Sequence, residues 1–152
     1  GEARVLEFNC RLGDPETQLL MLLMKGDLLP LLEKACREDA FSLSEVSTEF
    51  WHQKAGLCVV ASAKGYPGEV RKGDVIEVNS HIEDLPDIKV FHSGTEILHG
   101  NLITNGGRIL TISGIGESKD VLRNLVYKKM SQVRFDGKHY RKDIGLTEIR
   151  EK

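Results

Sequence analysis

Apolar and polar positions alternate from Val5 to Cys10, the two-residue period of a half-buried strand. Val5 and Leu6 open this run. Glu7, Asn9 and Arg11 then share one face, with Phe8 and Cys10 on the other. Gly13-Asp14-Pro15-Glu16 ends it. Asp14 suits a helix N-cap, Pro15 the first helical position and Glu16 the positive first turn. An apolar helix is expected from there to about Lys25. Gly26-Asp27 breaks it, and Asp27 caps a second helix to about Arg37. Pro30 is tolerated because it falls in the first turn. Residues 38–53 are polar and irregular and mark a boundary between two units, 1–50 and 54–152.

The texture changes at Gly56. Leu57 to Ala63 is a continuous run of small and apolar residues, expected as a buried strand. Gly65-Tyr66-Pro67-Gly68 has the composition of a tight turn. Short strands are expected at Val75–Val78, Lys89–His92, Asn101–Thr104 and Arg108–Ser113, separated by glycine-rich turns. Ser118 caps a helix whose apolar stripe is Val121, Leu122, Leu125, Val126 and Met130, close to a 3.6-residue period. Val133 to Ile144 is expected as a strand pair around the turn Asp136-Gly137. The pattern is α+β, with a strand and two helices first and a small sheet with a packed helix second.

Composition narrows the function. Apolar residues make up 40% and charged residues 29% of 152 residues, and the formal net charge is -2. No polybasic run points to nucleic acid or an anionic membrane. No apolar stretch reaches the roughly 18 residues a membrane span needs. Cys10, Cys36 and Cys58 are an odd, unclustered set in apolar surroundings. They are expected as reduced core thiols of a cytoplasmic protein rather than a disulfide framework or a zinc site. The chain enters its first strand almost at Gly1, without an initiator Met, and is expected to be a piece of a longer protein. The charged run Glu148 to Lys152 suits a true C-terminus.

Chemistry concentrates at the first strand-to-helix corner. Glu7 and Asn9 lie on one strand face with roots about 7 Å apart. From there a carboxylate and an amide oxygen can converge on a hard cation such as Mg²⁺, whose remaining ligands are commonly waters or phosphates. Taken alone, a Glu-x-Asn pair on a strand is most often just a solvated face. Arg11 continues the face, and its planar fork suits a carboxylate or phosphate. The helix N-terminus at Asp14–Pro15 offers backbone N–H groups to an anion. The plainer alternative is that Asp14 and Pro15 only start the helix and Arg11 pairs with Glu16. A second cluster, Arg141-Lys142-Asp143, forms an anion pocket with Arg108 or is a surface ion-pair patch. The histidines, His52, His81, His92, His99 and His139, show no metal spacing; His92 suits a strand and the others a surface.

The run from Leu6 to Gln18, with Glu7-Phe8-Asn9-Cys10-Arg11-Leu12-Gly13-Asp14-Pro15-Glu16 at its centre, resembles the metal-binding strand and turn of the phosphoribosylamine–glycine ligases. These enzymes, also called glycinamide ribonucleotide synthetases, belong to the ATP-grasp superfamily. Gly65-Tyr66-Pro67-Gly68, Val90-Phe91-His92-Ser93-Gly94-Thr95, Asn105-Gly106-Gly107-Arg108 and Tyr140-Arg141-Lys142-Asp143-Ile144-Gly145 follow in the family's order and spacing. Leu12 stands where an aromatic is usual and Ser93 where Ala is usual.

The resemblance implies an ATP-dependent carbon–nitrogen ligase of purine synthesis, acting through a glycyl phosphate that the amine of phosphoribosylamine attacks. It implies that Glu7 and Asn9 bind Mg²⁺ or Mn²⁺ and that Arg11 stabilises the transferring phosphoryl group. Asp14, Pro15 and Glu16 would shape the substrate pocket, and Arg108, Arg141 and Lys142 would meet the ribose phosphate. Its partners would be ATP, glycine, phosphoribosylamine and the N-terminal and lid domains. Residues 1–50 would be the tail of an ATP-grasp domain, and residues 54–152 a β-barrel-like C-terminal domain. Without the adenine pocket and the phosphate-holding lysines, the chain alone is expected to be inactive. The competing possibility is a noncatalytic assembly module. It requires a sealed surface around Phe8, Leu19 and Leu22.

Overall fold

Leu57, Val59 and Ala61 are the buried alternate positions of the longest early strand, β1 (Ala55–Ser62). The computed structural model describes residues 4–5, 8–37, 50–78 and 85–146. β1 pairs antiparallel with β6 (Arg108–Gly116), which pairs antiparallel with β3 (Ile88–His92). The sheet order is β1-β6-β3. Two small ribbons complete the strands: β2 (Glu77–Val78) with β7 (Val133–Arg134), and β4 (Thr95–Leu98) with β5 (Asn101–Thr104).

Register fixes what each sheet face carries. Leu57, Val59 and Ala61 oppose Gly114, Ile112 and Leu110, which oppose Ile88, Val90 and His92. This face receives α3 (Lys119–Ser131). A β-carbon at Gly114 would lie 3.0 Å from Leu122 Cδ1 and 3.2 Å from Val126 Cγ2, so the missing side chain admits the helix. Ser118 caps α3 as expected, its Oγ accepting from Val121 N. Leu122, Val126 and Met130 are buried; Val121 is 67% exposed and falls outside the stripe.

The other sheet face carries Gly56, Cys58 and Val60 on β1 and Thr111, Ser113 and Ile115 on β6. Helix α1 (Glu16–Leu23) lies against both strands. Gly56 makes room for it: a β-carbon there would come 2.7 Å from Leu19 Cδ1. The exit of α1 is tied down by Lys25 N to Phe50 O (2.8 Å) and His52 N to Leu23 O (2.7 Å). Helix α2 (Leu29–Cys36) follows and buries none of its residues. The expected Asp27 cap is displaced by one residue: Leu28 takes the cap position without a side-chain cap, and Asp27 Oδ1, just outside the helix, accepts from Leu29 N at 2.9 Å.

Several expectations are corrected. The described part of Val5–Cys10 forms no strand, and Phe8 is 84% exposed. Alternation alone makes no strand, since a strand exists only as part of a ladder. Helix α1 stops at Leu23 because Met24 turns extended and bridges Trp51. Val133–Ile144 is no hairpin. Asp136-Gly137 does turn, with φ 68° at Gly137, but β7 pairs with β2 and His139 bridges Ser62. No closed barrel is present among the described residues; the sheet is open and three-stranded. Cys10 and Cys36 are exposed rather than core; only Cys58 is half-buried.

Candidate functional site

One end of the sheet gathers segments far apart in sequence. Ser62, the last residue of β1, is opposite Arg108 on one side and His139 on the other. Its N–H donates to His139 O at 2.8 Å, and His139 N donates to Ser62 O at 3.0 Å. Two inter-strand spacings put the backbones of Arg108 and His139 about 10 Å apart. The Gly65-Tyr66-Pro67-Gly68 turn closes beside them, with Gly68 N donating to Gly65 O at 2.8 Å. The Tyr66 ring lies on Gly107, where a β-carbon would be 2.6 Å from Tyr66 Cδ2. Gly94 and Gly106 touch backbone to backbone: a β-carbon on Gly94 would sit 2.7 Å from Gly106 Cα and 2.6 Å from Arg108 O. Only glycine allows that approach. The Leu12–Glu16 turn that leads into α1 joins the group through Arg108, whose Nη1 donates to Asp14 O at 2.7 Å and lies 3.5 Å from Asp14 Oδ2.

The corner is internally bonded. Asp14 Oδ1 accepts from Gln18 Nε2 at 2.6 Å. The carboxylate that suited an N-cap is therefore engaged with Gln18 and Arg108; Pro15 takes the cap position, and no side chain caps α1. The Glu16 side chain folds over buried Gly13, and Thr17 Oγ1 donates to Gly13 O. Arg11 does not pair with Glu16: its Nη1 donates to Leu12 O at 3.0 Å and the residue is exposed. Beneath the helix, burial pushes the Cys58 thiol pKa up, and the Glu16 and Asp14 carboxylates add to the rise.

The second cluster has a different support. Arg141 forms a two-point pair with Asp143, Nε to Oδ1 at 3.1 Å and Nη2 to Oδ2 at 2.6 Å. Hydrogen bonding from Arg141 holds the Asp143 carboxyl below its ordinary value. Both side chains are more than half exposed, as in a surface ion pair. Helix α3 fixes the backbone of this loop. Tyr127 Oη donates to Arg141 O at 2.7 Å and accepts from Ile144 N at 3.1 Å. Arg123 donates to Ile144 O and Lys142 O, and its guanidinium lies 4.5 Å from the Tyr127 ring centre. Tyr66, Arg123 and Tyr127 were missed by sequence reasoning. The i,i+4 spacing of Arg123 and Tyr127 on one helix was a signal for the latter two.

Residues 56–147 match the family described as "Phosphoribosylglycinamide synthetase, C domain". This chain belongs to that family. It is 44% identical over 146 residues to the phosphoribosylamine–glycine ligase of Synechocystis sp., covering 95% of this chain and 34% of that protein. The ligase of Escherichia coli strain K12 is 42% identical over 150 residues, covering 98% and 34%. A crystal structure of phosphoribosylamine–glycine ligase from Thermotoga maritima superposes with a TM-score of 0.74 at 32% identity, covering 91% of this chain and 32% of that one. The chain thus spans about a third of the length of the curated relatives it matches.

The synthetase C-domain match accounts for the sheet, its ribbons and α3, and runs through the Arg141-Lys142 loop. A divalent cation finds suitable donor types in Glu7 and Asn9, a carboxylate and an amide oxygen. Glu7 lies outside the described residues, and Asn9 is exposed. No group of three or more His, Cys, Asp or Glu converges among the described residues. The fit therefore rests on that pair's chemistry.

Proposed function

We propose that this chain is the C-terminal portion of an ATP-dependent ligase that joins phosphoribosylamine and glycine, giving glycinamide ribonucleotide, ADP and phosphate in purine synthesis in the cytoplasm. The observation that carries this reading is the likeness of nearly the whole chain, corner included, to ligases about three times its length. In this reading the rest of the enzyme supplies the adenine pocket and the lid. Residues 1–50 are the end of the ATP-grasp domain and 54–152 the C-terminal domain, with α1 resting directly on the sheet.

Glu7 and Asn9 would hold Mg²⁺ or Mn²⁺, which supplies charge neutralisation at the nucleotide phosphates. Arg11 projects from the exposed corner and offers its guanidinium to the transferring phosphoryl group, a charge placed where negative charge develops. Asp14, Pro15 and Glu16 set the shape of the adjoining pocket. Arg141 and Lys142 would offer cations to the ribose phosphate; Arg108, which the family resemblance implies for the same task, is engaged with Asp14. Arg108 and Arg141 already face Asp14 and Asp143, so a phosphate arriving at either competes with a carboxylate.

The noncatalytic module reading requires a sealed N-terminal segment. Phe8 is 84% exposed while Leu19 and Leu22 are half-buried, and Val5 and Leu12 beside Phe8 are also exposed, which supports a partner surface over residues 5–12. The test is Glu7→Gln and Arg11→Ala in the longer polypeptide that contains this chain. Each is expected to lower turnover by about a hundredfold or more, and Glu7→Gln is expected to raise the Mg²⁺ requirement. Unchanged turnover with an unchanged Mg²⁺ profile would remove the metal role.

A further inference from the structure

We infer that Arg108 is a positioning residue, a clasp that holds the Leu12–Glu16 corner against the end of the sheet and so orients Arg11. The inference rests on the ligase reading for its catalytic consequence, but its structural part stands on the chain alone. Three features lead to it. The backbone at Arg108 is immobilised from both sides: Arg108 O accepts from Gly94 N at 2.9 Å, and Gly107 O accepts from Ala63 N at 2.8 Å. The guanidinium therefore leaves a fixed base and reaches a residue 94 positions earlier, donating to the Asp14 carbonyl. The carboxylate of the same Asp14 is held by Gln18 one turn into α1, so a pull on Asp14 is a pull on the helix start.

The contact to a main-chain carbonyl is the telling one. A guanidinium built only to bind phosphate gains nothing from a backbone acceptor, whereas a clasp does: the carbonyl fixes the path of the chain whatever the side chains do. α1 needs such a fastener. It buries none of its residues, and the sheet face beneath it carries the Thr111 and Ser113 hydroxyls, which find no partner among the described residues. The leucines of α1 are only half-buried, so a polar contact at the helix start adds to a modest apolar hold. Arg11 precedes Asp14 by three residues and has its own guanidinium on Leu12 O, so its direction follows the corner.

The experiment has two arms. In this chain, amide hydrogen exchange is followed for the unaltered protein, Arg108→Lys and Arg108→Ala. Exchange over residues 13–18 is expected to rise about threefold to tenfold in Arg108→Ala, the pair being half exposed and partly screened. α3 should keep its protection. Should Arg108→Ala also loosen α3, Arg108→Lys decides: it keeps the charge but loses the fork, and about a threefold rise confined to the corner is expected. Unaltered exchange over residues 13–18 would overturn the clasp.

In the longer ligase, Arg108→Ala and Asp14→Asn are made singly and together. Arg108→Ala is expected to lower kcat by about tenfold with the KM for phosphoribosylamine within about twofold; Asp14→Asn, which leaves the main-chain carbonyl in place, should lower it by about threefold or less, and the double variant should be little worse than Arg108→Ala. A KM raised about tenfold or more at constant kcat, additive with Asp14→Asn, would make Arg108 a direct phosphate ligand and overturn the inference. If the unaltered longer polypeptide makes no product, the ligase reading fails while the exchange arm still decides the clasp.

Discussion

On the sheet face toward α3, Ile88, Leu110, Ile112, Val126 and Met130 are all 0% exposed. On the face toward α1, Ser113 is also 0% and Thr111 1% exposed, yet both hydroxyls lack a partner among the described residues, and α1 contributes no buried residue. One face is closed by interlocking hydrocarbon. The other sets Thr111 and Ser113 among Cys58, Val60 and Ile115 under the half-buried leucines of α1, with hydrogen bonds at the two ends of the helix: Arg108 to Asp14 at its start, and the Phe50–His52 segment at its exit. The difference teaches where function resides. A face held by apolar burial is costly to open and serves as the frame. A face pinned by a few polar contacts keeps its helix adjustable, and that helix start carries the residues proposed to meet substrate.

The largest expected effect that sharpens this contrast is Ile112→Ala, which should cost about 2–5 kcal/mol in urea unfolding. Leu19→Ala on the half-buried α1 should cost only about 1 kcal/mol. Equal losses would erase the distinction. Next comes Gly94→Ala, whose β-carbon would strike two backbone atoms, Arg108 O and Gly106 Cα. It should destabilise by about 1–3 kcal/mol and disturb the loops around Arg108 before α3, which residue-resolved exchange would show. The smallest is Thr111→Val, similar in shape but without the unpartnered hydroxyl. It should be neutral or gain about 1 kcal/mol. A clear loss of stability would mean that the hydroxyl is satisfied and the α1 face is better sealed than described.

Where burial followed a local period, the sequence was readable. Ser118 and the stripe Leu122, Val126 and Met130 announced α3, and the apolar run after Gly56 announced β1. β4 went unseen because Ile97 and Leu98 are both largely exposed, so no inward–outward contrast marks it. Asp136-Gly137 signalled a turn but not partners: Val133, fully buried, pairs with Val78 instead of folding back on its neighbours. The barrel came from family likeness rather than from the residues, and the described strands leave the sheet open. At the site, Arg141 with Asp143 is local and was legible as an ion pair. Arg108 with Asp14 was not, since no sequence period links residues 94 positions apart. The corner meets the start of β6 because α1 lies across β1 and β6.

The measurement that tests the central claim most directly is formation of glycinamide ribonucleotide from phosphoribosylamine, glycine and ATP. It is run on this chain alone and on the longer polypeptide that contains it. The account predicts no product from the chain, and from the longer polypeptide product that falls when Glu7 is changed to Gln. Product from the chain alone, or none from the longer polypeptide, would contradict it.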